Sequence, residues 1–321
     1  ASPSRTEFAK PFLDFLAGTD PAAAEDEQIA ITGAKLFTTY LRATRDSGAQ
    51  STLAPGRFLL PGELDGSPLL TFFPMPLTSD ERLPRGSLVA MMARRFESYK
   101  SLVVRPFFND HFAKLDRQIV LVDVLTALHR GAEAVGDLER AMTNILRAFR
   151  PGANSWISMF LGRRIDRVLF AATKADHLPA SSHDRLEGIL KEIVDDAVLR
   201  AQTEGAGVNA LALSALRATR EATAKHGGET LPCLRGTPIK GERIDKVTFD
   251  GLTEAAIFPG DLPADPAAAL NEARHRASAS LELVRFAPPK LANTLADGKP
   301  AAFPHIRLDR ALDFLISDYL A

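Results

Sequence analysis

The chain is poor in the features that mark secreted, membrane-spanning and nucleic-acid-binding proteins. Its single cysteine, Cys233, excludes an internal disulfide and a metal cluster built from cysteines, and it fits a reducing compartment. No apolar run approaches the roughly 18 residues of a membrane-spanning helix. With 39 basic and 40 acidic residues the formal net charge is -1, so no strong field attracts nucleic acid or an anionic membrane. The length of 321 residues indicates roughly two domains with ample material for a core.

The most informative segment is an apolar run that ends in Thr173, Lys174, Ala175 and Asp176. Residues 168–172 lack polar alternation, which predicts a parallel strand buried on both faces. A Thr/Asn-Lys-x-Asp sequence after such a strand is typical of guanine recognition. The carboxylate accepts two hydrogen bonds that adenine cannot supply, and the lysine stem lies over the base. The same four residues are also an ordinary exit from a strand into a loop, and the motif alone leaves both interpretations open.

Two further apolar runs end in residues that fit the same site. Residues 208–213 lead into Ser214 and Ala215, the place where GTP-binding proteins offer a backbone N–H to the guanine oxygen. Residues 117–122 lead into Asp123, which could hold a metal-bound water or could cap the loop that follows. The links between the three runs are long enough for helical crossovers. Because the carboxyl ends of parallel strands line one crevice, we expect the three strand ends to form one site.

A phosphate-binding loop is absent from the sequence. No Gly-x-x-x-x-Gly-Lys-Ser/Thr occurs in the 321 residues, so the backbone cradle for phosphates and its lysine are missing. The chain begins at Ala1 without a methionine, and we expect that an amino-terminal part is missing. The sequence therefore predicts a base pocket without a phosphate pocket, and no GTP hydrolysis by this chain alone.

We predict an α/β fold in three parts. Residues 1–115 form a helical region with a Pro/Gly-rich loop, 116–228 the base-recognition half of a P-loop NTPase core, and 229–321 a small β-rich part with a closing helix. The parallel sheet would be the carboxyl-terminal, guanine-side part of that core. Individual helices are predicted over residues 86–104, 137–149 with Asp137 as cap, 182–200, 309–320 and from Ser214 to Lys225, and a strand over 281–286.

Longer runs of sequence extend this pattern along almost the whole chain: residues 55–62, 66–74, 104–108, 116–123, 170–177 and 304–309. In these runs the chain resembles the YcjX-like family of bacterial P-loop NTPases, which look like GTPases with added domains. The resemblance implies binding of GTP or GDP, with Thr173, Lys174, Asp176, Ser214 and Ala215 as the nucleotide contacts. It also implies that the phosphate loop and the catalytic residues lie outside this chain, so Mg²⁺ is expected only in the intact protein.

The same resemblance implies a cytoplasmic protein, or one peripheral to the bacterial inner membrane, that is linked to stress responses. The sequence indicates no nucleic-acid partner and does not identify a protein client. One alternative of a different class stays open. In it the chain is a non-catalytic interaction module, its Phe-rich helical parts dock a partner, and the nucleotide site is vestigial.

Other side chains are weaker candidates for chemistry. His177 and His183 are spaced so that they could bind a metal, although ordinary loop histidines have the same pattern. His129 could be a general base near the crevice or a surface residue at a helix start. Arg57 could stabilise a transferring phosphoryl group, or it could simply bind backbone carbonyls of its loop.

Overall fold

The computed structural model describes residues 3–46, 58–76, 85–110, 114–148, 165–203, 205–226, 229–275, 281–289 and 302–320. The chain divides into two compact units, Ala1–Lys114 and Leu115–Ala321, each with its own core. In the described parts of the chain, no helix combines the length and the apolar character that crossing a membrane requires.

The first unit is helical. Its elements are α1 (Pro3–Ala17), α2 (Glu27–Asp46), α3 (Leu88–Tyr99), a wider π-helical turn (Lys100–Val104) and α4 (Arg105–Asp110). Its core is rich in phenylalanine, and the rings of Phe12 and Phe73 pack edge to face with centroids 6.1 Å apart. Gly33 of α2 lies under Phe73, where an added Cβ would be 2.2 Å from the ring Cε1. The close approach of α2 to this ring therefore requires glycine.

The second unit contains a parallel sheet of three strands, β1 (Arg117–Val122), β2 (Arg167–Ala172) and β3 (Gly207–Ala212), in that spatial order. Their register aligns Val122 with Ala172 and Ala172 with Ala212, so the three strands end at one level. The sequence prediction of three parallel strands in an α/β fold is confirmed. Strand β2 is buried along nearly its whole length because it is the central strand of the three.

Helices cover both faces of this sheet. They are α5 (Val124–Arg130), α6 (Ala132–Ala148), α7 (His183–Thr203), α8 (Pro266–His275) and α9 (Leu308–Leu320). Alternate residues of β2 point to opposite faces, so Phe170 joins the core with α5 to α8 while Leu169 and Ala171 pack with Ala311 of α9. The predicted closing helix is confirmed, and it forms a layer of the sheet domain.

Two arginines at the amino-terminal edge of the sheet hold α9 in place. The Arg117 guanidinium donates to the Leu315 carbonyl and to Asp318, and it lies 4.0 Å from the centre of the Tyr319 ring. Arg167 donates to the Phe314 carbonyl at 2.5 Å. The hydrogen bond from Arg117 holds the pKa of Asp318 below its usual value. Backbone carbonyls in the last two turns of α9 thus accept hydrogen bonds from side chains of the strands.

Small antiparallel sheets follow β3 along the chain. One contains β4 (Arg220–His226), β5 (Glu229–Gly236) and β8 (Ala255–Ile257), and the other contains β6 (Arg243–Ile244) and β7 (Val247–Thr248).

The helix predicted from Ser214 to Lys225 is wrong. Residues 221–225 alternate in exposure, and residues 220–226 pair with β5 along their whole length, from Arg220 opposite Arg235 to His226 opposite Glu229. Their alanines favour a helix by intrinsic propensity, but hairpin pairing prevails over that preference.

Two smaller predictions are also wrong. Residues 281–286 form no strand, because their pairing is limited to an isolated bridge between Pro238 and Phe286. Helix α6 begins at Ala132, so Asp137 lies inside the helix and does not cap it.

Candidate functional site

The three parallel strands end together, and hydrogen bonds continue the sheet past their last residues. The Thr173 N–H donates to the Val122 carbonyl at 2.9 Å, and the Leu213 N–H donates to the Ala172 carbonyl at 2.8 Å. The Ala175 N–H then donates to the Leu213 carbonyl at 3.2 Å. The loop after β2 is therefore joined to the loop after β3, and the predicted site residues of the two loops lie at one edge of the sheet.

Asp123, at the end of β1, is a helix cap. Its Oδ1 accepts from the Thr126 N–H at 3.1 Å and its Oδ2 from the Thr126 hydroxyl at 2.8 Å, which satisfies an N–H of the first turn of α5. Of the two roles left open by the sequence, the structure supports the cap. In the part of the chain that the structure describes, no group of three or more His, Cys, Asp or Glu side chains could hold a metal.

Lys174 connects the loop after β2 to this cap. Its ammonium lies 2.6 Å from Asp123 Oδ2 and 3.1 Å from the Thr126 hydroxyl. Its backbone is left-handed, with φ of 63°, a conformation that is uncommon for residues other than glycine and that clusters at functional sites. The two ends of the ion pair are exposed by 42% and 40%. The methylene stem of Lys174 is therefore held at the crevice by its charged end.

Asp176 is buried in a short 3₁₀ turn, Ala175–His177, with 5% of the residue exposed. Its Oδ2 accepts from the Ala218 N–H at 3.0 Å, and its backbone carbonyl accepts from the Thr219 hydroxyl. Across the described residues, the bond from Ala218 is the only hydrogen bond to this carboxylate. Because a carboxylate has about four lone-pair sites, Asp176 keeps acceptor capacity for a ligand.

Ser214 and Ala215 follow β3 and differ in their surroundings. Ser214 is buried, its hydroxyl donates to the Leu216 carbonyl at 3.0 Å, and its N–H donates to the Ile306 carbonyl at 3.1 Å. Ala215 is exposed, and no partner for its N–H is found among the described residues. A backbone donor without a protein partner, in the loop that is joined to the Asp176 turn, can serve a ligand.

The histidines near the crevice have structural partners. His183 is buried at the start of α7, and its Nε2 lies 2.9 Å from the Ala175 carbonyl and 3.1 Å from the Leu178 carbonyl. Burial lowers the pKa of His183 and also that of His177, whose ring packs edge-on against Phe286. His129 Nδ1 lies 2.7 Å from the Leu281 carbonyl. These contacts favour the structural interpretation of each histidine over the metal or general-base interpretation.

Several contributors were not predicted from the sequence. Thr126, the shared partner of Asp123 and Lys174, could have been found from the spacing of a helix cap. Nothing in the sequence indicated that Ala218 and the segment around Ile306 lie at this site, since their partners are distant in the chain. Arg57, the candidate for phosphoryl stabilisation, lies outside the described residues.

Comparison with known proteins places the chain in a family. Residues 1–320 match the model of the YcjX-like family, DUF463. A protein of Escherichia coli (strain K12) named Ras-like GTPase YcjX is 34% identical over 310 residues, which cover 94% of this chain and 62% of that protein. A Shewanella oneidensis protein of the same name is 33% identical over 272 residues, covering 83% of this chain and 53% of its own length.

The chain thus spans 62% and 53% of the length of these two relatives. The match to the family model nevertheless includes both the helical unit and the sheet unit, with the strand ends that carry the Thr-Lys-Ala-Asp sequence. The chain therefore belongs to the YcjX-like family.

Proposed function

We propose that this chain forms the base-binding part of a guanine-nucleotide site in a Ras-like GTPase. Residues 116–228 would be the base-recognition part, with Thr173, Lys174, Asp176, Ser214 and Ala215 as its contacts. One observation carries the proposal. A buried carboxylate with remaining acceptor capacity and the N–H of the exposed Ala215, which has no partner among the described residues, follow neighbouring strand ends, in loops that a backbone hydrogen bond joins.

The chemistry of guanine matches these two groups. One carboxylate can accept hydrogen bonds from both the ring N–H and the exocyclic amine of guanine. The exocyclic carbonyl oxygen of guanine accepts from a backbone N–H. Adenine presents a donor where guanine has that oxygen and has no ring N–H at the neighbouring position. A site that leaves buried polar groups unpaired with the wrong base discriminates strongly, so Asp176 and Ala215 would select guanine over adenine.

Lys174 completes this pocket in the proposal. Its left-handed backbone and the ion pair with Asp123 hold the side chain at the edge of the crevice, where its stem can lie against the face of a base. The names of the two relatives support a guanine nucleotide as the ligand.

Phosphate binding and hydrolysis need further residues. The 321 residues contain no phosphate-loop motif, and among the described residues no group of three or more His, Cys, Asp or Glu side chains could hold a metal. GTP hydrolysis, Mg²⁺ binding, a stress-related role, and a cytoplasmic or membrane-peripheral location are therefore proposed for the intact protein. A protein client would be engaged by that intact protein as well.

The proposal is tested by exchanging the recognition groups. Asp176→Asn presents an amide donor where the carboxylate accepts. That donor suits the second carbonyl oxygen of xanthine better than it suits the amine of guanine. Binding of GMP, XMP and AMP is measured by saturation-transfer NMR, since monophosphates report mainly on the base. We expect the wild type to prefer GMP and the variant to shift toward XMP by about tenfold, because mispaired buried polar groups cost roughly 1–3 kcal/mol.

The matched control is Asp196→Asn, which removes an exposed carboxylate from α7 and should leave the preference unchanged. If GMP binds no better than AMP to the folded wild type, the proposed function is wrong. If all three nucleotides fail to bind, the alternative of an interaction module with a vestigial site is favoured.

A further inference from the structure

Residues 302–307, called the strap below, run beside the loop that follows β3. The Ile306 N–H donates to the Ser214 carbonyl at 2.8 Å, and the Ser214 N–H donates back to the Ile306 carbonyl at 3.1 Å. The Arg217 N–H donates to the Pro304 carbonyl at 2.7 Å. The side chain of Ile306 is buried in the main core of the unit. The strap thus binds the loop on both sides of Ala215.

Arg307 fixes the end of the strap. Its guanidinium donates to Glu187 Oε2 at 2.8 Å and to Asp184, both on the first turns of α7, and 17% of its side chain is exposed. Its backbone is left-handed, with φ of 54°, although it is not glycine. The hydrogen bond from Arg307 also holds the pKa of Asp184 below its usual value. An unfavourable backbone conformation persists where surrounding contacts hold it, and here the two ion pairs supply them.

The other side of the loop is held by Asp176. Its carboxylate accepts from the Ala218 N–H, and its backbone carbonyl accepts from the Thr219 hydroxyl. The loop is therefore bound to the strap at Ser214 and Arg217 and to the Asp176 turn at Ala218 and Thr219, while Ala215 between them is exposed and its N–H has no partner among the described residues.

We propose that Arg307 is a positioning residue, which, through the strap, places the Ala215 N–H to bind the exocyclic carbonyl oxygen of guanine. The inference rests on the proposed function and extends it to the amino-acid residues that govern specificity at this oxygen. A backbone donor has no rotatable side chain, so its direction depends on how the loop is held. Without the ion pairs to α7 the residues of the loop are unchanged, but the loop is held less firmly and its N–H loses its fixed direction.

The test compares guanosine with 6-thioguanosine. In 6-thioguanosine, sulfur replaces the exocyclic carbonyl oxygen and accepts hydrogen bonds weakly, while both donors toward Asp176 are retained. Affinities are measured by NMR titration of the full 321-residue chain. We expect the wild type to prefer guanosine by about two- to tenfold, the effect of one hydrogen bond. In Arg307→Gly the ratio should fall toward one, since glycine accepts the left-handed backbone but removes the ion pairs.

A second variant tests the same contact from its other side. Asp184→Asn combined with Glu187→Gln leaves the strap sequence intact and should lower the ratio in the same way, so the test does not depend on how well Arg307→Gly folds. Arg307→Lys should restore part of the ratio, because one charge remains without the planar fork. Arg274→Ala, which removes an ion pair between α8 and Glu139, is the matched control and should leave the ratio unchanged.

Each outcome decides between the two claims. If the wild type prefers guanosine over 6-thioguanosine and the variants keep that ratio while both affinities fall, Arg307 has only a structural role and the inference is wrong, although the proposed function stands. If the wild type binds guanosine no better than adenosine, the proposed function fails and the inference fails with it.

Discussion

Asp123 has two separable roles, and substitutions at this one position distinguish them. Alanine removes both the cap of α5 and the ion pair with Lys174. Loss of an N-cap costs about 1 kcal/mol, within a range of roughly 0.5–2. Because both charged side chains are about two-fifths exposed, their ion pair contributes only about 0.2–1 kcal/mol. We therefore expect Asp123→Ala to lower the free energy of unfolding by about 1.5 kcal/mol and Asp123→Asn, which can still cap, by about 0.5.

Urea unfolding followed by circular dichroism measures these differences in the free energy of unfolding. Hydrogen exchange at the amides of β1 and β2 then shows whether the stability is lost in the sheet unit. Salt provides the internal control. At about 1 M salt the screening length is near 3 Å, so the effect of Asp123→Asn should shrink. The difference between the Asn and Ala variants reports the cap and should persist. If Asp123→Asn and Asp123→Ala lowered the free energy of unfolding equally at low salt, the cap would not contribute more stability than the ion pair, and this reasoning would be refuted.

Three further predictions concern other parts of the chain. Gly33→Ala should destabilise the helical unit by about 1–3 kcal/mol in thermal unfolding because its Cβ would meet Phe73, whereas Gly136→Ala, with only a side-chain tip 3.6 Å away, should stabilise α6 by about 0.5–1. Burial lowers the pKa of His183 in the folded chain below its ordinary value of 6.5. The stability that depends on the neutral ring is therefore full above that pH, and it falls at lower pH as the unfolded chain binds the extra proton. The protection factors for hydrogen exchange at residues 175–178, corrected for the intrinsic pH dependence of amide exchange, should therefore fall on acidification, and unchanged protection would contradict the contacts of His183 Nε2 with the Ala175 and Leu178 carbonyls. Purified 1–321 should release no phosphate from GTP above background in a multiple-turnover assay, and turnover would show that another loop binds phosphates.

The sequence predicted the parts of the fold that depend on local pattern. Continuous apolar runs identified all three parallel strands, and their lengths put the residues around Asp123, Asp176 and Ser214 at one edge. The prediction of a helix from Ser214 to Lys225 was wrong, because residues 220–226 pair with a partner strand, β5, that lies beyond the predicted helix.

Contacts between distant residues could not be predicted in this way. The pair between Arg117 and Asp318 and the pair between Arg307 and Asp184 join residues far apart in the chain, and neither partner has a distinctive neighbourhood in the sequence. The same limit hid the partners of Asp176. Its carboxylate was predicted to face a ligand, whereas its bond to Ala218 depends on the course of a loop that only the fold determines.

The order of elements along the chain has a consequence for synthesis on the ribosome. One face of the parallel sheet is covered by α9, which is made long after β3 has left the exit tunnel. Until then Leu169, Ala171 and Leu211 of the nascent sheet lack the cover that α9 provides, and the loop at Ser214 lacks its partner at Ile306. Translation of residues 302–320, more than assembly of the strands, would therefore supply the cover of this face and the partner of this loop.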